Sequence, residues 1–213
     1  MDLGRIVMAP LCAFVILHNG LEMYRSYNGA EKIDALDILA EINALLLISF
    51  YIFMASAYMQ RTSPKSTSRS WKDNAAAMGT TFLTAPLLVI CSTSVNSPFY
   101  LVLTGSVIGI LGLAFAVYSL ISLGGNFSII PQAREVVRRG PYRYLRHPLY
   151  FGEIVAICGF VLAHVTVTTL VILLMLFLLQ VYRANREEKM LASTFPDYQE
   201  YVSQTFCIVP GIW

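Results

Sequence analysis

Two short stretches hold most of the side chains that could do chemistry. The first, Gly140-Pro-Tyr-Arg-Tyr-Leu-Arg-His-Pro-Leu-Tyr-Phe-Gly152, places two Arg, one His and three Tyr beside a long apolar run. Pro148 can begin a helix at its first turn, where free N–H groups and the helix dipole favour a carboxylate. His147 just before it can donate or accept a hydrogen bond. Arg138, Arg139 and Arg143 fit a plain positive anchor better than a ligand site. The second stretch pairs Arg183 with Glu187, four residues on, and continues into Glu188 and Lys189. Such a pair on a helix surface contributes only about 0.3–0.5 kcal/mol, and Arg before Glu is the less favourable order. Arg183 also follows an apolar run directly, where its planar fork suits a carboxylate or phosphate. Glu41 and Glu153 lie within apolar runs, where an acid is expensive and a functional expectation by default. Glu41 is near a helix end and can snorkel, whereas Glu153 lies within reach of the first stretch.

Other groupings carry less. His18 and His164 are expected on the opposite membrane face from His147, so the three His cannot share a metal, and no metal site is expected. Cys12, Cys91, Cys158 and Cys207 are scattered without a Cys-x-x-Cys, which supports neither a disulfide framework nor a zinc knuckle. Gly105, Gly109 and Gly112 match a close-packing face between membrane helices, one that would also permit a dimer. No strand precedes them, so a dinucleotide fingerprint fails its context test.

The elements that must position these residues follow from composition. The 213-residue chain is 56% hydrophobic and 13% charged, with mean hydropathy +0.62. Soluble domains average roughly 25% charged residues, so a soluble or disordered chain is excluded. A net charge of +2 is too small to argue for nucleic acid. A bilayer core of about 30 Å needs about 20 apolar residues. The runs Ile6–Met23, Ile38–Gln60, Ala75–Val95 and Phe99–Leu123 meet or approach that length. The run Leu149–Tyr182 would make a helix of about 51 Å, so two legs of about 15 residues with a turn near His164–Thr169 fit better. This predicts an all-α integral membrane protein of five or six helical segments, with a short hairpin and a cytoplasmic loop and tail. Residues 1–123 would form the N-terminal helices and 124–213 the functional core. Placing both termini inside leaves only Arg25 and Lys32 outside among 15 basic residues, a strong positive-inside pattern. No cleavable signal peptide is expected, and the final Pro-Gly-Ile-Trp does not fit a prenylation signal.

Together the two stretches resemble the isoprenylcysteine carboxyl methyltransferase family, grouped with the membrane phospholipid methyltransferases. The resemblance spans roughly Gly124–Pro210: Gly-Gly-Asn-Phe-Ser-Ile-Ile-Pro-Gln-Ala-Arg134-Glu-Val-Val-Arg-Arg-Gly140-Pro-Tyr142 through Arg146-His147-Pro148-Leu-Tyr150, then Tyr182-Arg183-x-x-Arg186-Glu187-Glu188-x-x-Leu191, Phe195, Tyr198, Tyr201 and Pro210. It implies S-adenosylmethionine as cofactor. Gln132, Arg134, Val136, Val137, Gly140, Tyr142, Arg146, His147, Tyr150 and Glu188 would hold it, and Arg183 and Glu187 would be catalytic. Arg134 stands where several family members carry His. The implied acceptor is lipophilic, a prenylated substrate or membrane lipid, with a carboxylate the first expectation. Two alternatives remain. Arg-His-Pro-x-Tyr-Phe-Gly-Glu153 is also similar to membrane sterol reductases that use NADPH, although those usually carry Asn where this chain has Leu149. A non-enzymatic scaffold is the other. Oligomeric state is left open.

Overall fold

A computed structural model describes residues 3–29, 34–60, 64–67, 70–83, 97–128, 132–209 and 211. Helices α1 (Leu3–Gly29), α2 (Ala35–Met59), α3 (Trp71–Leu83), α4 (Phe99–Leu123), α5 (Pro148–Ala163), α6 (Val167–Thr194) and α7 (Tyr198–Ser203) follow in order. Their ends are written locally. The Asp34 carboxylate accepts from the Leu36 and Asp37 N–H groups, and Asp37 accepts from the Asp34 N–H, a reciprocal cap for α2. Pro98 precedes α4, and Gly124 ends it at φ +56°, a left-handed position that favours glycine. Pro148 is the first residue of α5.

Among the described residues, α2, α4 (with Gly124–Asn126) and α6 are long and apolar enough to span a bilayer. With the helical content, this makes the chain an all-α integral membrane protein. The run Ile6–Met23 lies within α1, a continuous 27-residue helix that contains Pro10. The run Ala75–Val95 is helical as far as Leu83, and its remainder falls outside the described residues.

The 34-residue run divides as expected. The turn falls at His164–Thr166, and Val167–Thr169 already form the start of α6. Thr166 caps α6 and exchanges hydrogen bonds with Thr169, whose hydroxyl also donates to the His164 carbonyl at 2.7 Å. The two legs differ from expectation in length. The first has 16 residues, but the second runs for 28, through Arg183 and on to Thr194. Arg183, Glu187 and Glu188 therefore sit on the membrane helix itself rather than on a separate tail. Residues of good helix propensity follow Tyr182 without a Gly or Pro to stop them.

Two features organise the rest. Gly105, Gly109 and Gly112 on α4 meet Gly152, Ala156 and Gly159 on α5 backbone to backbone; a Cβ on Gly105 would stand 2.5 Å from the Gly159 carbonyl. This small-residue face, which would also have permitted a dimer, is packed within the chain. Around the seam, Val15, Met54, Leu120, Leu149 and Ile208 join one core cluster from α1, α2, α4, α5 and the C-terminal segment. That segment is fastened by the Arg146 and His147 N–H groups, which donate to the Phe206 and Cys207 carbonyls at 2.8 and 2.9 Å. A two-stranded antiparallel ribbon, β1 (Ser66–Thr67) with β2 (Gln132–Ala133), was not anticipated in an all-helical reading. It clips the α2–α3 connection to the loop after α4.

Candidate functional site

The two chemistry-bearing stretches line one cleft. About 750 Å³ of space lies between its walls, open solvent included. The loop after α4 supplies Gln132, Arg134, Glu135, Val136 and Val137 to its wall. The turn before α5 adds Tyr142, Arg146 and His147, and Tyr150 follows one turn into that helix. Glu187 and Leu191 come from α6, and Tyr198 and Tyr201 from α7. Phe127, Ser128 and Leu149 also line the cleft without having been singled out.

At its centre Tyr150 donates to the Glu187 carboxylate. The His147 ring stacks on Tyr150 with centroids 5.3 Å apart and planes 6° apart. Arg183 lies over the same Tyr150 ring, 5.0 Å from its centroid, and its Nη2 is 3.9 Å from Glu187 Oε1. Arg183 is buried and donates to Thr80 Oγ1 on α3 at 2.9 Å. The acidic wall (Glu135 and Glu187) and the rings of Tyr142, Tyr150, Tyr198 and Tyr201 suit a ligand with positive charge and a flat aromatic portion. Burial, and then Glu187, hold the Tyr142 hydroxyl protonated well above its ordinary range. The Tyr198 hydroxyl is buried and, among the described residues, has no hydrogen-bond partner. A group this costly to bury unpaired leaves a place for a ligand atom.

The expected residues do not all meet the cleft. Nine of the twelve line it, Glu187 among them. Gly140 does not; its φ is +57° and a Cβ there would stand 2.5 Å from Ser122 Oγ, so it serves a tight turn against α4. Glu188 stands behind the wall, holding Arg146 Nε at 2.5 Å. Burial opposes the Arg146 charge, but Glu188 outweighs it and raises the guanidinium further. Arg183 is not among the cleft-lining residues and stands against Tyr150 and Glu187. Arg134 is buried and donates to Gln132 Oε1 at 2.6 Å.

Sequence reasoning missed the α3 contribution. Asp73 is 1% exposed and takes two hydrogen bonds from Arg186, at 2.8 and 2.9 Å, and a third from Tyr182 at 2.8 Å. The cue was available: Asp73 and Thr80 are seven apart, on one face of a helix. Glu153 was expected to be functional, and it accepts from Gln180 Nε2 within the helix pair.

Residues 103–193 match the isoprenylcysteine carboxyl methyltransferase (ICMT) family. The match takes in less than half of the chain and supports this family. It holds most of α4, all of α5 and nearly all of α6, and with them Tyr142, His147, Tyr150, Arg183 and Glu187. Two of the three helices long and apolar enough to span a bilayer, α4 and α6, lie largely within it. The nickel-cobalt-cadmium resistance protein NccN of Alcaligenes xylosoxydans xylosoxydans is similar, 32% identical over 82 residues. That match spans 38% of this chain and 38% of the relative. Outside the matched segment, Tyr198 and Tyr201 line the cleft, and Thr80 and Asp73 bond Arg183 and Arg186.

Proposed function

We propose that the protein is an S-adenosylmethionine-dependent methyltransferase acting on the carboxylate of a lipophilic acceptor, a prenylated or similar membrane-borne substrate. The observation that carries this reading is the pairing of Glu187 and Arg183 about Tyr150: opposite charges 3.9 Å apart, matched to a cationic donor and an anionic acceptor. The cleft residues fit the donor. The unpartnered Tyr198 hydroxyl, the ring faces of Tyr142 and Tyr150 and the Glu187 carboxylate suit its polar, aromatic and positive portions in turn. Gln132, Arg134, Val136, Val137, Arg146 and His147 would complete the enclosure, with Gly140 and Glu188 supporting from behind.

When bound, the donor supplies an electrophilic methyl group on a sulfonium that departs as a neutral thioether. Glu187, held in place by Tyr150, sets a negative charge against the sulfonium position. Arg183, fixed by Thr80 and the Tyr150 ring, pairs with the acceptor carboxylate by one edge and leaves an oxygen free to attack. A carboxylate is already ionised at neutral pH, so no residue here has to remove a proton. The chain's task is to hold two reactants in contact and keep water out. The distribution of basic residues supports placing the cleft and both termini in the cytoplasm.

Calorimetry on purified protein in detergent tests the reading. S-adenosylmethionine or its demethylated product should bind, and NADPH should not. The reverse preference would favour a reductase. Transfer of labelled methyl groups into a membrane lipid extract would then identify the acceptor.

A further inference from the structure

We propose that His147, Glu188 and Cys207 form a binding site for a thiophilic divalent cation of the zinc, cobalt or cadmium type. The three come from separate places in the chain: the residue before α5, the C-terminal half of α6 and the C-terminal segment. Their ligand atoms lie within 4.8 Å of one another. Glu188 Oε1 is 3.3 Å from Cys207 Sγ and 3.5 Å from His147 Nε2. Zinc bond lengths of about 2.0 Å to oxygen and nitrogen and 2.3 Å to sulfur give tetrahedral edges of roughly 3.3–3.6 Å. Two edges of such a site are therefore already present.

His147 is 6% exposed, and its Nε2 has no hydrogen-bond partner among the described residues. It points to the Glu188 oxygen from beyond good hydrogen-bond distance, which leaves its lone pair available to a cation. The other ring nitrogen, Nδ1, faces Glu187 Oε2 at 3.8 Å, the second-sphere carboxylate that commonly orients a ligating His. Arg146 does not depend on the shared oxygen alone, because its Nη1 also donates to the Thr205 and Val202 carbonyls. Backbone hydrogen bonds to Phe206 and Cys207 hold the thiol in register with His147. Without a cation, Cys207 donates its thiol hydrogen to Glu188 Oε1. Cation binding forms the metal–sulfur bond and releases that proton to solvent. An imidazole, a carboxylate and a thiolate select the borderline and soft divalent metals over magnesium or calcium.

Cobalt(II) alone is the probe, titrated into full-length, tag-free protein in detergent without methyl donor. One equivalent should bring a sulfur-to-cobalt charge-transfer band and visible bands of tetrahedral intensity. Cys207→Ser should abolish the charge-transfer band. His147→Ala and Glu188→Gln should each weaken cobalt binding at least ten-fold, while Cys158→Ala leaves the spectrum unchanged. A band that survives in folded Cys207→Ser, or wild-type protein that shows none at stoichiometric cobalt, overturns the site. Because the readout involves no donor or acceptor, it stands apart from the methyltransferase reading.

Discussion

Arg186 on α6 holds Asp73 on α3 through two parallel hydrogen bonds, Nε to Oδ1 at 2.8 Å and Nη2 to Oδ2 at 2.9 Å. The pair joins the N-terminal helices to the ICMT segment just one helical step from Arg183. Arg186 is partly exposed and Asp73 is not, so the cost of breaking the pair falls on the buried acid. Arg186→Ala should lower stability by about 1–3 kcal/mol, with Arg186→Lys recovering part of it. Thermal unfolding in detergent measures the loss, and donor affinity should stay within two-fold of wild type.

Glu187→Gln keeps shape and the Tyr150 contact but removes the charge facing the donor. Methyl transfer should fall about 100-fold, with the melting temperature within about 2 °C of wild type. A parallel loss of activity and stability would instead mark Glu187 as one half of a structural ion pair.

The α4–α5 seam separates two glycines sharply. A Cβ on Gly159 would stand 2.5 Å from the Gly105 carbonyl and 2.8 Å from the Gly109 Cα. Backbone cannot yield there, so Gly159→Ala should cost about 1–3 kcal/mol. On α1, nothing lies within 4 Å of a Cβ at Gly20. Gly20→Ala should be neutral or stabilise by up to about 1 kcal/mol through helix propensity.

Alkaline pH should weaken the C-terminal packing. Burial first, then Glu188, raises Cys207 from 9.0 to about 12, and burial raises Tyr201 from 10.0 to about 12. Between these limits the unfolded chain binds fewer protons than the native one, so stability falls as pH rises. The melting temperature should hold up to about pH 9 and decline towards pH 12. Cys207→Ser should make that decline shallower without abolishing it, since the raised Tyr142, Tyr198 and Tyr201 hydroxyls still titrate.

Sidedness is testable through the ribbon. Cysteines placed at Ser66 and Ser128 in a background without native Cys should react with impermeant maleimide from the cytoplasmic face alone. Labelling from the outside would reverse the proposed orientation.

The sequence made the membrane class, the hairpin turn and most of the cleft legible, for separable reasons. Apolar run length measures the bilayer, and a run too long for one span has to turn within itself. The cleft residues lie close together in sequence on either side of the hairpin, so folding the hairpin brings them together. Arg183 was recognisable as special because it directly follows an apolar run, where its planar fork suits a carboxylate or phosphate. Its partner Thr80 was not, since a hydroxyl on a distant helix has no signature until α3 packs on α6. Gly140 was read as a ligand residue because it sits in the motif, whereas its positive φ and the nearby Ser122 make it a turn. The length of α6 was underestimated because hydropathy ends at Tyr182 while helix propensity does not.

The contact of α4 with α5 also bears on how an acceptor arrives. Where main chains touch across Gly105, Gly109, Gly152 and Gly159, no hydrocarbon tail can slide between the two helices. That flank is closed to lateral traffic from the bilayer. On the proposed function, a lipophilic acceptor would have to approach Arg183 from another side of the bundle, such as that of α3, which supplies Thr80.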